Sequence, residues 1–239
     1  MYKNKKILAI IPARKGSQRI PEKNIKIMAG RPLIYYTIKA ALKCPLLDKV
    51  IVSTDSPKIA KIAKTYGAEI PFLRPKKYAR NASSDQEVAR HALNYFTKKG
   101  LKFDYCVYLK PTSPLRLAAD INLAVKKTID RKLPLLRTVT RVGSNNHPYW
   151  MYKSQGDLLK PLLPKIKLKN YYQSSLLPKN IYYLNGLVEV FSLKQALSSE
   201  FLYDAPKIGY LETPEARADD LDTLLDWQLC ELKIKKNNL

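Results

Sequence analysis

Apolar residues along this chain come in two kinds of run that take turns. Residues 7–11, Ile-Leu-Ala-Ile-Ile, are apolar without interruption, as expected of a strand buried on both faces in a parallel sheet. Similar short runs at 48–55, 69–73, 104–110, 133–142, 184–191 and 207–212 predict further strands. Helical spacing links them at 30–43, with Pro32 suited to a first turn, and at 57–66, which stops at Gly67. A capping-box pattern, Ser84-x-x-Glu87, opens a third helix at 85–98. A fourth is predicted at 117–131 and a last at 224–234, where Trp227 and residues 229–232 offer core contacts. The alternation predicts an α/β fold, doubly wound around a mostly parallel sheet. Residues 142–183 break the pattern, being rich in Tyr and Pro and without period. So long a stretch is not expected to be a plain loop.

The segment after the first strand carries the first hint of chemistry. Pro12 withholds a ladder donor and Gly16 tolerates unusual backbone angles, so the chain must leave the sheet as an irregular loop. That loop holds Arg14, Lys15, Arg19 and Lys23. A cationic loop at the carboxyl end of the first strand is where nucleotide phosphates usually bind in α/β sheets. Ordinary solvated surface is the competing reading. The loop matches neither a P-loop nor GxGxxG. At the end of the second strand, Asp55 is either a site residue or a cap for the helix that follows. His147, beside Pro148 in an aromatic cluster, reads as a packing residue rather than a base or ligand.

Composition narrows the class. The chain has 239 residues, 46% of them hydrophobic, enough for one substantial core and a single domain over 1–239. It has no apolar run of roughly 18 residues, and its first residues lead directly into a strand, so a soluble cytoplasmic protein is expected. Cys44, Cys106 and Cys230 are odd in number and widely spaced, which predicts buried thiols rather than disulfides or a zinc site. A formal charge of +23 could favour polyanions of any kind. Its lysines are spread along the whole chain with no recognition helix or polybasic tail, so no specific nucleic-acid or membrane partner is expected.

Several motifs remain. Pro12-Ala13-Arg14-x-Gly16-Ser17-x-x-Ile20-Pro21-x-Lys23-Asn24 is followed by Pro-Thr-Ser-Pro-Leu-Arg at 111–116, His-Pro-Tyr-Trp-Met at 147–151, Asn185-Gly186 and Asp-Leu-Asp-Thr at 220–223. In that order, and over nearly the whole chain, the set resembles the cytidylyltransferases that activate sialic acid and related nonulosonic acids. The resemblance implies that a hydroxyl of a sugar acid attacks the α-phosphorus of CTP and pyrophosphate leaves. It implies nucleotide contacts from Pro12, Ala13, Arg14, Arg19, Lys23, Asn24, Arg74, Ser83, Ser84 and Lys110, with Arg14 and Lys23 catalytic. Sugar contacts would come from Gln173 and Asn185, and 142–183 would be an arm that pairs with a second subunit in a homodimer. Mg²⁺ or Mn²⁺ would sit at Asp220 and Asp222. Residues two apart in an extended segment share a side, which fits that pair; capping of the last helix by Asp222 is the alternative.

The chain departs from the family in places. Gln18 stands where the family usually has Lys, and the neighbouring Arg19 can take over that phosphate contact. Lys110 replaces a Gln that helps read the pyrimidine; it can donate to the base but not accept from it. Asn81 sits near where an acidic residue is usual. Tyr171, Tyr172 and Tyr183 stand where the family has arginines around the sugar, which implies an altered acceptor held partly by Lys169 or Lys179. A Kdo-type or other sugar nucleotidyltransferase is the alternative within the class, and a decayed homologue that only binds a nucleotide or partner lies outside it. The Kdo-type enzymes carry an acidic element in place of 111–116, which argues against that choice.

Overall fold

The structure, a computed structural model, describes residues 1–198 and 200–237. Its strands in chain order are β1 Ile7–Pro12, β2 Ile27–Met28, β3 Arg31–Pro32, β4 Lys49–Ser53, β5 Tyr105–Tyr108, β6 Leu135–Arg141, β7 Tyr152–Gln155, β8 Leu158–Pro161, β9 Tyr182–Ser192 and β10 Ile208–Glu212. The helices are α1 Leu33–Leu42, α2 Pro57–Thr65, α3 Asp85–Lys98, α4 Ala118–Asp130, α5 Leu193–Ser198 and α6 Leu224–Lys236. Six strands form the central sheet in the order β10-β6-β9-β5-β1-β4. β1 runs parallel to both neighbours, and β10 is parallel to β6. β9 alone runs against its neighbours, β5 and β6, so the expected mostly parallel sheet contains one reversed strand.

β1 is buried on both faces, as its unbroken apolar run predicted. Ile7, Ala9 and Ile11 join the layer containing Ile34 and Ile38 of α1, Ile59 of α2 and Ile121 of α4. Leu8 and Ile10 point the other way, into a layer with Val88, Leu93 and Phe96 of α3 and with Phe191 of β9. Each such Ile, Leu, Val or Phe side chain contributes about 1.5–3 kcal/mol by leaving water. A third cluster gathers Ile20 from the loop after β1, Met28, Leu115, Leu221 and, from α6, Trp227, Cys230 and Ile234. The last helix therefore clamps the loop that carries the cations. All three cysteines are buried and free.

Two predicted elements are corrected. Residues 69–73 form no strand, only isolated bridges from Glu69 to Ile51 and from Leu73 to Thr54, because Pro71 offers no ladder donor at its centre. The helix predicted over 30–43 begins at Leu33. Ala29 and Gly30 take left-handed angles, φ 45° and 80°, and turn the chain between β2 and β3, leaving Pro32 as the residue before the helix.

Residues 142–183 hold short 3₁₀ turns and the two-stranded hairpin β7-β8. Leu158 is 69% exposed, Leu159 68% and Tyr172 70%. His147 is buried here. Its Nδ1 accepts from the Tyr149 backbone N–H at 3.3 Å, which leaves Nε2–H to donate to the Pro178 carbonyl at 3.2 Å. Both ring nitrogens are thus occupied in packing. Among the described residues no helix is long and apolar enough to cross a membrane.

Candidate active site

The carboxyl ends of β1 and β5 open onto a cleft of about 350 Å³. One wall is the loop that leaves β1. Ala13 extends the ladder by one bond, donating to Ser53 O at 2.9 Å, and its buried side chain lies beneath the cleft rather than in it. Beyond it the loop is pinned by bonds to its own backbone. Asn24 Nδ2 donates to Arg14 O at 2.9 Å, and Asp55 Oδ1 accepts from the Lys15 N–H at 2.9 Å. Asp55 therefore positions the loop, while Ser56 caps α2. Lys23 donates to Leu221 O. Burial lowers its pKa, against the pull of Asp222 and Asp220. Pro12, Arg14, Ser17, Gln18, Arg19, Lys23 and Asn24 all line this wall.

The facing wall is the segment 74–84. Arg74 is only 5% exposed, and its side chain makes one long bond, Nη1 to Tyr78 O at 3.4 Å. Its Nε and Nη2 are buried without a partner among the described residues. Burial lowers the pKa of this guanidinium, and donors left unpaired in such a place cost on the order of 1–3 kcal/mol each. Arg14 reaches across to the side-chain oxygen of Asn81. Ser83 lines the cleft, with Oγ accepting from Arg80 N–H at 3.1 Å. Ser84 is spent on capping α3 in a box with Glu87 and is absent from the lining.

The floor comes from β5 and the turn after it. Arg116 is fully enclosed and holds that turn, donating to Lys110 O and Thr37 Oγ1 at 2.9 Å each and to Leu187 O. Burial pushes its pKa down to about 9. Lys110 lines the cleft paired with Asp85, Nζ to Oδ2 2.8 Å. Burial would raise the Asp85 carboxyl, but Lys110 and the hydroxyls of Tyr203 and Tyr108 hold it below its usual value. The Tyr203 hydroxyl lies 2.7 Å from both Asp85 and Glu189, and Glu189 receives Arg137 Nη2 at 2.7 Å.

At the rim, Arg19 Nη1 meets Asp222 Oδ2 at 2.5 Å, and Asp222 lines the cleft. The cap of α6 is Thr223, in a capping box with Asp226, so Asp222 is not needed as the cap. Leu221 is wholly buried between exposed Asp220 and Asp222, while Asp219 turns away to Lys233 at 2.8 Å. Among the described residues no cluster of three or more His, Cys, Asp or Glu could hold a metal.

With this geometry, known proteins decide the family. The sequence profile of the family described as cytidylyltransferase matches residues 8–179. The chain belongs to the cytidylyltransferase family. It is 36% identical over 234 residues to the CMP-N,N'-diacetyllegionaminic acid synthase of Legionella pneumophila, covering 97% of each chain. It is 31% identical to the N-acylneuraminate cytidylyltransferase of Escherichia coli over 97% of this chain and 53% of that longer protein. The pseudaminic acid cytidylyltransferase of Campylobacter jejuni is 28% identical, with 98% of each chain covered. In fold it is similar to a CMP:2-keto-3-deoxy-manno-octonic acid synthetase solved in complex with CTP, with TM-score 0.69 and 16% identity over 97% of this chain and 99% of that one.

In this cytidylyltransferase the two expected sugar residues are not brought to the cleft. Gln173 is exposed in the 142–183 segment. Asn185 is buried, donating from Nδ2 to Thr140 Oγ1 and Thr213 Oγ1 at 2.7 Å each and accepting from Leu187 N–H at 3.2 Å. An amide has two N–H donors, and both are spent inside the fold, where Asn185 ties β9 to β6 and to the residue after β10. Asp85, Tyr78, Tyr108 and Thr112 line the cleft and were missed by sequence reading. Asp85 was hidden by the capping motif around it, which explained the segment without asking where its next residue pointed.

Proposed function

We propose that this cytidylyltransferase transfers CMP from CTP to a nonulosonic acid, a hydroxyl of the sugar acid attacking the α-phosphorus as pyrophosphate leaves. The observation that carries the reading is the buried Arg74 guanidinium, whose Nε and Nη2 have no partner among the described residues, across a cleft from Arg14 and Lys23. A buried cation with idle donors is costly unless a ligand completes it. Transfer of this kind asks for positioning and charge neutralisation. Arg14 and Lys23 supply positive charge where the phosphates lie, and Arg19 adds a further donor at the rim. Asn24, through its bond to the Arg14 carbonyl, keeps the loop in shape.

The carboxylates of Asp220 and Asp222 fit a Mg²⁺ or Mn²⁺ ion. Both are exposed on either side of buried Leu221, both act electrostatically on Lys23, and capping duty falls on Thr223. Two carboxylates without a full protein cage are the usual donor set for Mg²⁺, whose remaining ligands are water and phosphate oxygens. When bound, the ion supplies charge neutralisation at the phosphates.

The acceptor is an unusual nonulosonic acid. Tyr171, Tyr172 and Tyr183 replace guanidinium groups that would pair with its carboxylate, and Lys169 or Lys179 supplies the compensating charge. The relatives' names span legionaminic, sialic and pseudaminic acids. The exposed leucines of β8 favour a homodimer, in which the 142–183 segments complete each other's acceptor sites. The experiment is pyrophosphate release from CTP and Mg²⁺ across a panel of nonulosonic acids. Release with at least one of them, and slower turnover of N-acetylneuraminate than of the best acceptor, is expected. Release with none would overturn the reading.

A further inference from the structure

Resting on the CTP reading above, we propose that Asp85 selects cytosine over uracil, its carboxylate accepting the 4-amino group of the base. The cleft has two chemically different ends. Arg14, Arg19 and Lys23 gather on the loop after β1, with Asp222 beside them at the rim. Tyr78, Val88 and Tyr108 line it from the 74–84 segment, α3 and β5, beside Arg74, Arg80 and Lys110. The first end suits phosphates and the second, aromatic and partly apolar, suits a ring.

Only two carboxylates line the cleft among the described residues, and Asp85 is the one at the ring end. A carboxylate in a cleft meant for a polyanion is a liability unless it is neutralised and used. Lys110 neutralises it at 2.8 Å, so the pair repels no phosphate. About four acceptor positions exist on a carboxylate. Lys110, Tyr203 and the Tyr108 hydroxyl account for three contacts, which leaves room for one more donor. Cytosine brings an amino group at position 4, and uracil brings a carbonyl oxygen that a carboxylate repels. Lys110 and Arg74 only donate, and both bases share the 2-carbonyl, so neither cation need distinguish them. The replacement of an amide by Lys110 thus loses no selectivity, because the acceptor now stands at Asp85.

The test is calorimetric binding of CTP and UTP, each with Mg²⁺, to the full chain and to Asp85→Asn. Ser84, not Asp85, caps α3, so the variant keeps the helix start. Wild type is expected to prefer CTP by at least roughly a hundredfold, since a site built around a hydrogen bond rejects a ligand that lacks it. In Asp85→Asn the amide oxygen can keep accepting from Lys110 while its N–H₂ turns toward the uracil 4-carbonyl. UTP should then bind tighter than to wild type, and the preference should fall to about tenfold or less. A structural injury would weaken both nucleotides together, and that result would overturn the proposal. Wild type alone gives a second check: a CTP analogue with hydrogen in place of the 4-amino group should bind much more weakly than CTP, and equal binding would refute the idea. CTP binding without pyrophosphate release would sink the transferase reading and leave the base-selection result standing.

Discussion

The cleft and the 142–183 segment are built on opposite terms. At the cleft the residues that shape its walls are bonded within the chain. Asp55 and Asn24 hold the cationic loop, Arg116 holds the turn under Lys110, and α6 clamps Ile20 and Leu221 from outside. Buried there without a partner among the described residues are Nε and Nη2 of Arg74, a residue that lines the cleft. In the other region the backbone is mostly short turns and one hairpin, and what is left over is apolar: Leu158, Leu159 and Tyr172 in water. One region leaves charged donors idle and the other leaves apolar side chains exposed. Nucleotide binding should therefore belong to a single chain, whereas acceptor binding should need two.

Substitutions at the rim should separate function from fold most sharply. Asp222→Asn and Asp220→Asn are each expected to lower turnover at least about a hundredfold with an unchanged melting temperature, because the Thr223–Asp226 box still starts α6. Rescue by high Mn²⁺ would sharpen the assignment. A fall in melting temperature with activity kept would return Asp222 to a structural role. Next in size is Arg74→Met. Charged hydrogen bonds contribute about 1.5–3 kcal/mol, so CTP affinity should drop about tenfold to a hundredfold. Stability should rise at the same time, since a desolvated and unpaired cation has been removed; thermal melting without nucleotide reads that half directly.

The segment itself is probed by Leu158→Lys with Leu159→Lys. Light scattering should report loss of the dimer and kinetics a raised KM for the sugar acid, while calorimetry finds CTP binding intact. A monomeric wild type at full activity would erase the contrast between the two regions. Smaller still are the loop variants. Arg14→Ala should weaken CTP most, Arg19→Ala less because that side chain is largely exposed and shared with Asp222, and Gln18→Ala least.

Much of this was legible in the chain. The Ile-rich run of β1 announced a strand buried on both faces, and the Pro12 and Gly16 punctuation announced the loop that follows. What the sequence hid was direction and partnership. The apolar run at 184–191 shows a strand but carries no mark of its reversal, since a buried strand has the same composition either way. Asn185 sat in a recognisable motif, yet only the fold shows its amide consumed by Thr140 and Thr213. The Lys110–Asp85 pair joins residues far apart in sequence, and no local pattern predicts it. Arg74 was named early as a contact, but its idle Nε and Nη2 are a property of packing alone.

The work proposed for the cleft is delivery of CMP to a sugar acid. Phosphorus NMR of the full chain with CTP, Mg²⁺ and a nonulosonic acid observes that transfer directly. The three CTP resonances should give way to one phosphodiester signal and the pyrophosphate signal in equal molar amounts, only when the acceptor is present. CTP that binds yet keeps its three resonances with every nonulosonic acid tried would contradict it.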